Sequence, residues 1–470
     1  MENKQTFRPF GWRDKLGYLF GDFGNDFTFI LASSFLLKFY TDVMAVPAAI
    51  VGTVMMIARF VDAFTDVTMG RICDRSKTLP AGKFKPWIRR MCGPVAIASF
   101  LVYQSGLADM GMGFKIAYLF VTYILWGSVF YTSINIPYGS MASAISREPD
   151  DRQSLSTFRT MGGMFAGMIV MLLPPLIVYD KTVINGVEVD VLNGGKFTLI
   201  AGIFSVGAII CYLLCYKLVT ERVRIETVEN APKQDSVYVM LKKAGTNRAL
   251  ISIICASIVM LLAQLTMQQM ANYVYPNVYG DAAMQSASMG LMGFGMIAAA
   301  ILAKPLARKF GKAEIAIVTN MFAGVVLVIC FFVHPENVWV FAAFQALVWL
   351  GLGMFSMISW ALITDVIDYS EIRNGVREDG SVYALYSFAR KLGQALSAGV
   401  SGWLLGAIGY SAETAFEPAV TDGIFMISTL IPAIGLIVLA LIMWFWYPLH
   451  KKQVDANVAF LKEKHGSESK

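Results

Sequence analysis

Arg59, Asp62 and Asp66 lie inside one apolar stretch, residues 47 to 70, that is long enough to cross a bilayer. Nothing else in the chain limits its fold as tightly. At spacings of three and four residues a helix places all three side chains on one face. Each charge would cost several kcal/mol against lipid, so that face must look onto a partner or a water-filled cavity. One reading is a buried structural ion pair between Arg59 and one aspartate. A single arginine cannot neutralise two carboxylates, however, and the remaining acid calls for a cation or a proton.

Apolar stretches of this length recur about twelve times. The expected spans are 16 to 41, 47 to 70, 91 to 108, 114 to 138, 160 to 179, 197 to 217, 249 to 275, 285 to 303, 315 to 333, 338 to 363, 383 to 409 and 421 to 447. With 56% hydrophobic and only 15% charged residues, the chain is far from the balance of a water-soluble domain. Its net charge of +6 does not point to nucleic acid, because the basic residues cluster in short loops between spans, where lipid headgroups account for them. The six cysteines fall mostly within or at the ends of spans, without metal-ligand spacing, and read as small core residues. The N-terminal apolar run has no small-residue cleavage site behind it and reads as a retained first span. The loop from Arg71 to Arg90 carries seven basic residues against the single acid Asp74, which sets it, and with it both termini, on the cytoplasmic side.

That basic loop after the second span is mirrored by Lys304, Arg308, Lys309 and Lys312 after the eighth, and a polar stretch separates spans six and seven. The expected architecture is therefore all-α and integral to the membrane: a six-helix bundle (1–217), a cytoplasmic connector (218–247), a second six-helix bundle (248–447) and a cytoplasmic tail (448–470). Gly70, Asp74 and Arg75 match the Gly-x-x-x-Asp-Arg signature that the major facilitator superfamily carries between its second and third spans, and Gly82 to Trp87 follow. The chain has no phosphate-binding G-x-x-x-x-G-K-[ST] loop, so active transport would draw on a gradient. Asp365 and Asp368, in an acidic cluster at the cytoplasmic exit of span ten, are expected to pair with the basic loops as gate residues, alongside Asp74 and Arg75.

Gly21 to Phe27, Phe39 to Asp42, Ala58 to Asp66, Asn135 to Gly139, Asp365 to Tyr369 and Arg390 to Gln394 together resemble the glycoside-pentoside-hexuronide:cation symporters, a branch of that superfamily that includes melibiose and glucuronide carriers. The resemblance spans nearly the whole chain. It implies a sugar carrier driven by sodium or a proton, with no cofactor, in a bacterial inner membrane, working as a monomer on a small sugar. Carried over by position, Asp62 and Asp66 would form the cation or metal site, with Thr65 and Thr132 as further oxygen ligands. Two carboxylates in low dielectric repel, so they hold a proton or share a metal cation. Asp26 matches the family's sugar-binding carboxylate, Arg159 the arginine beside it, and Tyr131 an aromatic sugar contact. Asp22, one turn earlier, is assigned a structural role.

Two positions depart from the melibiose pattern. Asn135 stands where those carriers have an acid, and Gly139 where they have a tryptophan. Lys391 matches the family's helix-eleven lysine, and Arg390 precedes it as in glucuronide carriers. An acid replaced by an amide, with two cations added, favours a carboxylated sugar such as a β-glucuronide. Neighbours on a helix point about 100 degrees apart, so Arg390 could instead face away, and a neutral pentoside or disaccharide is the alternative. A membrane enzyme is a remote one, since His334, His450 and His465 are the only histidines and form no nucleophile–base pair. A sugar sensor without transport is another, and the intact acid pair argues against it.

Overall fold

The computed structural model describes residues 8–184, 186–223, 247–374 and 379–468. Most of the expected connector, and Arg377 and Glu378 of the acidic cluster, lie outside the described residues. In chain order the helices are α1 (Trp12–Asp42), α2 (Ala48–Arg75), α3 (Lys85–Val102), α4 (Met112–Ile124), α5 (Thr132–Ile145), α6 (Pro149–Ile177) and α7 (Gly194–Leu218). They continue with α8 (Arg248–Tyr273), α9 (Ala283–Phe310), α10 (Lys312–Val333), α11 (Val338–Asn374), α12 (Asp379–Ala407), α13 (Pro418–Leu441) and α14 (Lys451–Glu468). A π-helical turn, Leu125–Tyr131, joins α4 to α5, so the two make one membrane-length rod.

Among the described residues, nine helical stretches are long and apolar enough to cross a bilayer. The expected first, third and eleventh spans also form helices, α1, α3 and α12, but these are more polar. Asp22, Asn25 and Asp26 interrupt α1, and Lys85, Arg89 and Arg90 crowd the start of α3. Length and composition thus support nine crossings outright, and the remaining three rest on helix formation alone. To the expected all-α fold the structure adds one antiparallel hairpin, β1 (Tyr179–Ile184) with β2 (Val187–Leu192), paired from Tyr179 opposite Leu192 to Ile184 opposite Val187. Gly186 at its turn has φ of 81°, a conformation glycine adopts without strain.

The described residues group into two compact units. The first holds everything up to residue 223 together with Gly409–Thr414; the second holds the rest. In the first, α1 packs chiefly against α6 and α7. Small residues permit this: Gly162 of α6 sits directly on the Leu19 carbonyl and Gly24 of α1 against the Tyr212 ring of α7, while Gly21 admits the Tyr138 ring of α5. Tyr18 and Tyr138 stack at 4.7 Å, and each hydroxyl donates to the other's backbone carbonyl at 3.3 and 2.6 Å. In the second unit Ala249, Ile253, Phe355, Leu362 and Leu436 belong to one buried core, and Gly351 lies against the Thr319 carbonyl.

The first residues after α7 are fixed to the first unit. Glu221 accepts hydrogen bonds from three successive backbone N–H groups, those of Lys83, Phe84 and Lys85, at 2.7 to 3.0 Å. This carboxylate serves the otherwise unpaired donors at the start of α3, where negative charge is also favoured by the helix dipole. Arg222 pairs with the fully buried Asp14 at 2.8 Å. Residues 219–223, expected in the connector, therefore act as part of the bundle. Removing the Glu221 side chain strands buried donors, at about 1 to 3 kcal/mol for each group left unsatisfied. Glu221→Ala should lower the thermal unfolding midpoint in detergent clearly, and Glu221→Gln by less; identical midpoints for Glu221→Ala and wild type would show that the clamp carries no stability.

Candidate functional site

On α2 the three charges face inward as the spacing predicts, but they divide their contacts unequally. Arg59 Nη1 lies 3.3 Å from Asp62 Oδ2, Nη2 donates to Ser33 Oγ at 3.3 Å, and the guanidinium lies 4.8 Å from the Phe29 ring centre. The structural ion pair therefore exists, and it uses one oxygen of one acid. The other oxygen of Asp62 accepts from Ser128 Oγ at 2.5 Å. Asp66, one turn further, has Thr132 Oγ1 at 2.9 Å from its Oδ1, the same hydroxyl lying 3.2 Å from the Gly127 carbonyl. The two acids, four residues apart, thus face two hydroxyls, four residues apart, across the π-helical turn between α4 and α5.

Thr65 does not join this set. Its hydroxyl stands 3.1 Å from the Asp62 carbonyl and 3.3 Å from that of Val61, bonded back to its own helix as threonines within helices often are. Ser128 takes the place expected of it. Sequence spacing could have found Ser128, which is one turn before Thr132, but the π turn alters which faces of that rod coincide. Two carboxylates and two hydroxyls bring hard oxygen donors together, a set that suits a proton or an alkali cation. Among the described residues no three His, Cys, Asp or Glu side chains converge as a metal centre would.

A second polar group lies between α1, α5 and α6. Arg159 Nε donates to Asp22 Oδ1 at 3.0 Å, and the guanidinium lies over the Tyr138 ring at 5.2 Å. The hydrogen-bond partner of Arg159 is Asp22, one turn before Asp26. Asp26 still belongs to the group, because Gly163, one turn after Arg159 on α6, faces both acids. A Cβ there would fall 2.6 Å from Asp26 Oδ2 and 3.0 Å from Asp22 Oδ2. Gly163 is what admits two carboxylates beside one arginine. Tyr131 stacks on Phe29 at 5.5 Å and meets Trp126 at 5.7 Å. Asn135 Oδ1 accepts from Asn25, whose own Oδ1 accepts from the Tyr212 hydroxyl at 2.8 Å.

In the second unit, Arg390 on α12 is half-buried, with its guanidinium 5.8 Å from the Trp360 ring centre and 6.0 Å from that of Tyr386. Lys391, the next residue, is exposed. Asp365 pairs with Lys312 at 2.5 Å, joining α11 to the start of α10. Asp368 is half-buried near the same end of α11, while Asp74 and Arg75 are exposed at the C-terminal end of α2.

Residues 17–451 match a family model described as MFS/sugar transport protein. The chain is 30% identical over 443 residues to the glucuronide carrier protein homolog of Escherichia coli (strain K12), covering 94% of this chain and 93% of that one. It is 29% identical over 460 residues to the isoprimeverose transporter of Lactiplantibacillus pentosus, covering 97% and 93%. Among solved structures, that of the nucleoside transporter NupG shares the fold with a TM-score of 0.65 at 14% identity, over 93% of this chain and 99% of that one.

The geometry separates the two threonines. An oxygen ligand to a charged group contributes about 1.5 to 3 kcal/mol, so Ser128→Ala and Thr132→Ala should each weaken sodium binding by about ten- to a hundredfold, while losing a donor to a carboxylate should raise, not lower, its affinity for a proton. Thr65→Ala should change either little. Sodium titrations at fixed pH, and proton titrations without sodium, read by protection against heat unfolding, make the comparison; a Thr65→Ala loss as large as that of Thr132→Ala would reverse the assignment.

Proposed function

Because the chain belongs to the MFS/sugar transport protein family, which its residues 17–451 match, we propose that it couples a hexuronide, such as a β-glucuronide, to sodium or a proton by alternating access. It is a multi-pass membrane transporter and not an enzyme. The observation that carries the coupling is the double acid of α2: Asp62, paired with Arg59 and met by Ser128, and Asp66 one turn on, met by Thr132. Such a group is stable inside a bilayer when a cation or proton completes it. Asp26 and Arg159 are the sugar contacts of the first unit, with Tyr131 as a ring-face platform and Asn135 as a neutral amide where an acid would repel a uronate. Arg390 and Lys391 supply positive charge from α12. The Asp365–Lys312 pair, Asp368, Asp74 and Arg75 serve as cytoplasmic gate residues. The carrier acts as a monomer in a bacterial inner membrane, with both termini inside.

A neutral pentoside or disaccharide is the second reading. It is favoured by the stacking of Arg390 on Trp360 and Tyr386, which occupies part of that cation, and by the name of the Lactiplantibacillus relative.

Uptake into proteoliposomes under imposed gradients separates these readings. Asp62→Cys or Asp66→Cys should abolish gradient-driven accumulation while some sugar binding remains; full ion-stimulated uptake in both variants would sink the coupling site. A uronate carboxylate gains a charge-assisted contact of roughly 1.5 to 3 kcal/mol, so wild type should prefer glucuronide to the matching glucoside by about ten- to a hundredfold. Lys391→Gln or Arg390→Gln should shrink that ratio. Equal uptake of the neutral sugar would give its place to the second reading.

A further inference from the structure

The bond between Arg159 and Asp22 has no part in the proposed sugar contacts, yet it fixes the arginine that makes them. Three sides of the guanidinium are defined. Its Nε edge is held by Asp22 at 3.0 Å, one face lies over Tyr138, and Tyr138 is itself locked to Tyr18 by stacking and by two hydroxyl–carbonyl bonds. The Nη1 end faces Gly139, where even a Cβ would stand 3.7 Å away, and the side chain remains 40% exposed. Arg159 bonds Asp22 and not Asp26, although Gly163 brings both carboxylates alongside it. Freed from Asp22, the guanidinium would be drawn to Asp26 by the same charge, and donor and acceptor would then satisfy each other.

We infer that Asp22 is a positioning residue: by holding the Nε edge of Arg159 it keeps the Nη edge and the Asp26 carboxylate separately available to vicinal hydroxyls of a glycoside. Each such hydroxyl accepts from an N–H and donates to a carboxylate, so an open guanidinium edge beside an open carboxylate complements a sugar diol. This rests on the reading that Asp26 and Arg159 contact the sugar, and it replaces the purely structural role expected for Asp22.

A double-mutant cycle on the full-length purified protein tests it, with p-nitrophenyl β-glucuronide and isoprimeverose as probes. Asp22→Ala should weaken binding of whichever probe wild type takes by about tenfold, as for one lost charge-assisted bond. In an Arg159→Ala background the same change should add nothing, since Asp22 would have no arginine left to hold. An equal loss in both backgrounds, or no loss in either, overturns the inference. Unchanged affinity in Arg159→Ala alone removes the sugar contact itself, a failure of the underlying reading, and overturns both. A sugar-free measurement covers a poorly folding alanine variant: phenylglyoxal should modify Arg159 faster in the isosteric Asp22→Asn than in wild type, read by peptide mass, and equal rates would again overturn the role.

Discussion

The expense of keeping charge away from water governs this molecule. The first unit places two acids and one arginine on α2 and its neighbours, and again two acids and one arginine on α1 and α6. Each group is arranged so that the arginine engages only one of its acids directly. In a soluble protein water would settle the difference at little cost. Within a membrane span it must be settled by hydroxyls, by other side chains, by a bound ion or by a ligand. The helix packing follows from that demand, since glycines at 162 and 163 bring α6 close to α1, and Gly21 lets the Tyr138 ring of α5 lie against α1, so that the second group can exist at all.

Much of the fold was legible because bilayer length imposes a period that composition alone reveals. The expected spans and the observed helices coincide nearly throughout, and the α2 charges face inward as their spacing demands. What escaped was of two kinds. The hairpin after α6 is short, and its Asn185-Gly186 turn signal sits beside a much louder pattern of apolar helices. The first residues after α7 look like linker because they are polar, while their polarity is what ties them to the α2–α3 loop through Glu221 and to Asp14 of α1 through Arg222.

Site residues were legible where a helix face alone decides the neighbour and illegible where two helices must be put in register. The shared face of Asp62 and Asp66 is of the first kind, whereas Thr132, which lies 2.9 Å from Asp66, was reached only through the family resemblance. Thr65 shares the face of the acids, but its hydroxyl had a nearer acceptor in its own backbone, a competition that spacing does not display. Ser128 was hidden by the π turn, and the choice of Asp22 over Asp26 by Arg159 depends on how far along α1 the facing residue of α6 falls. No periodicity within either helix contains that offset.

The two glycines around Arg159 differ in how much change they permit. At Gly163 a single added carbon would meet both Asp26 and Asp22, so any replacement disturbs the acids themselves; at Gly139, on the exposed side of α5, an extra carbon would rest at ordinary contact distance from the guanidinium. Position 163 therefore tolerates no side chain without displacing an acid, whereas position 139 could take a small one and leave the charge arrangement around Arg159 as it is.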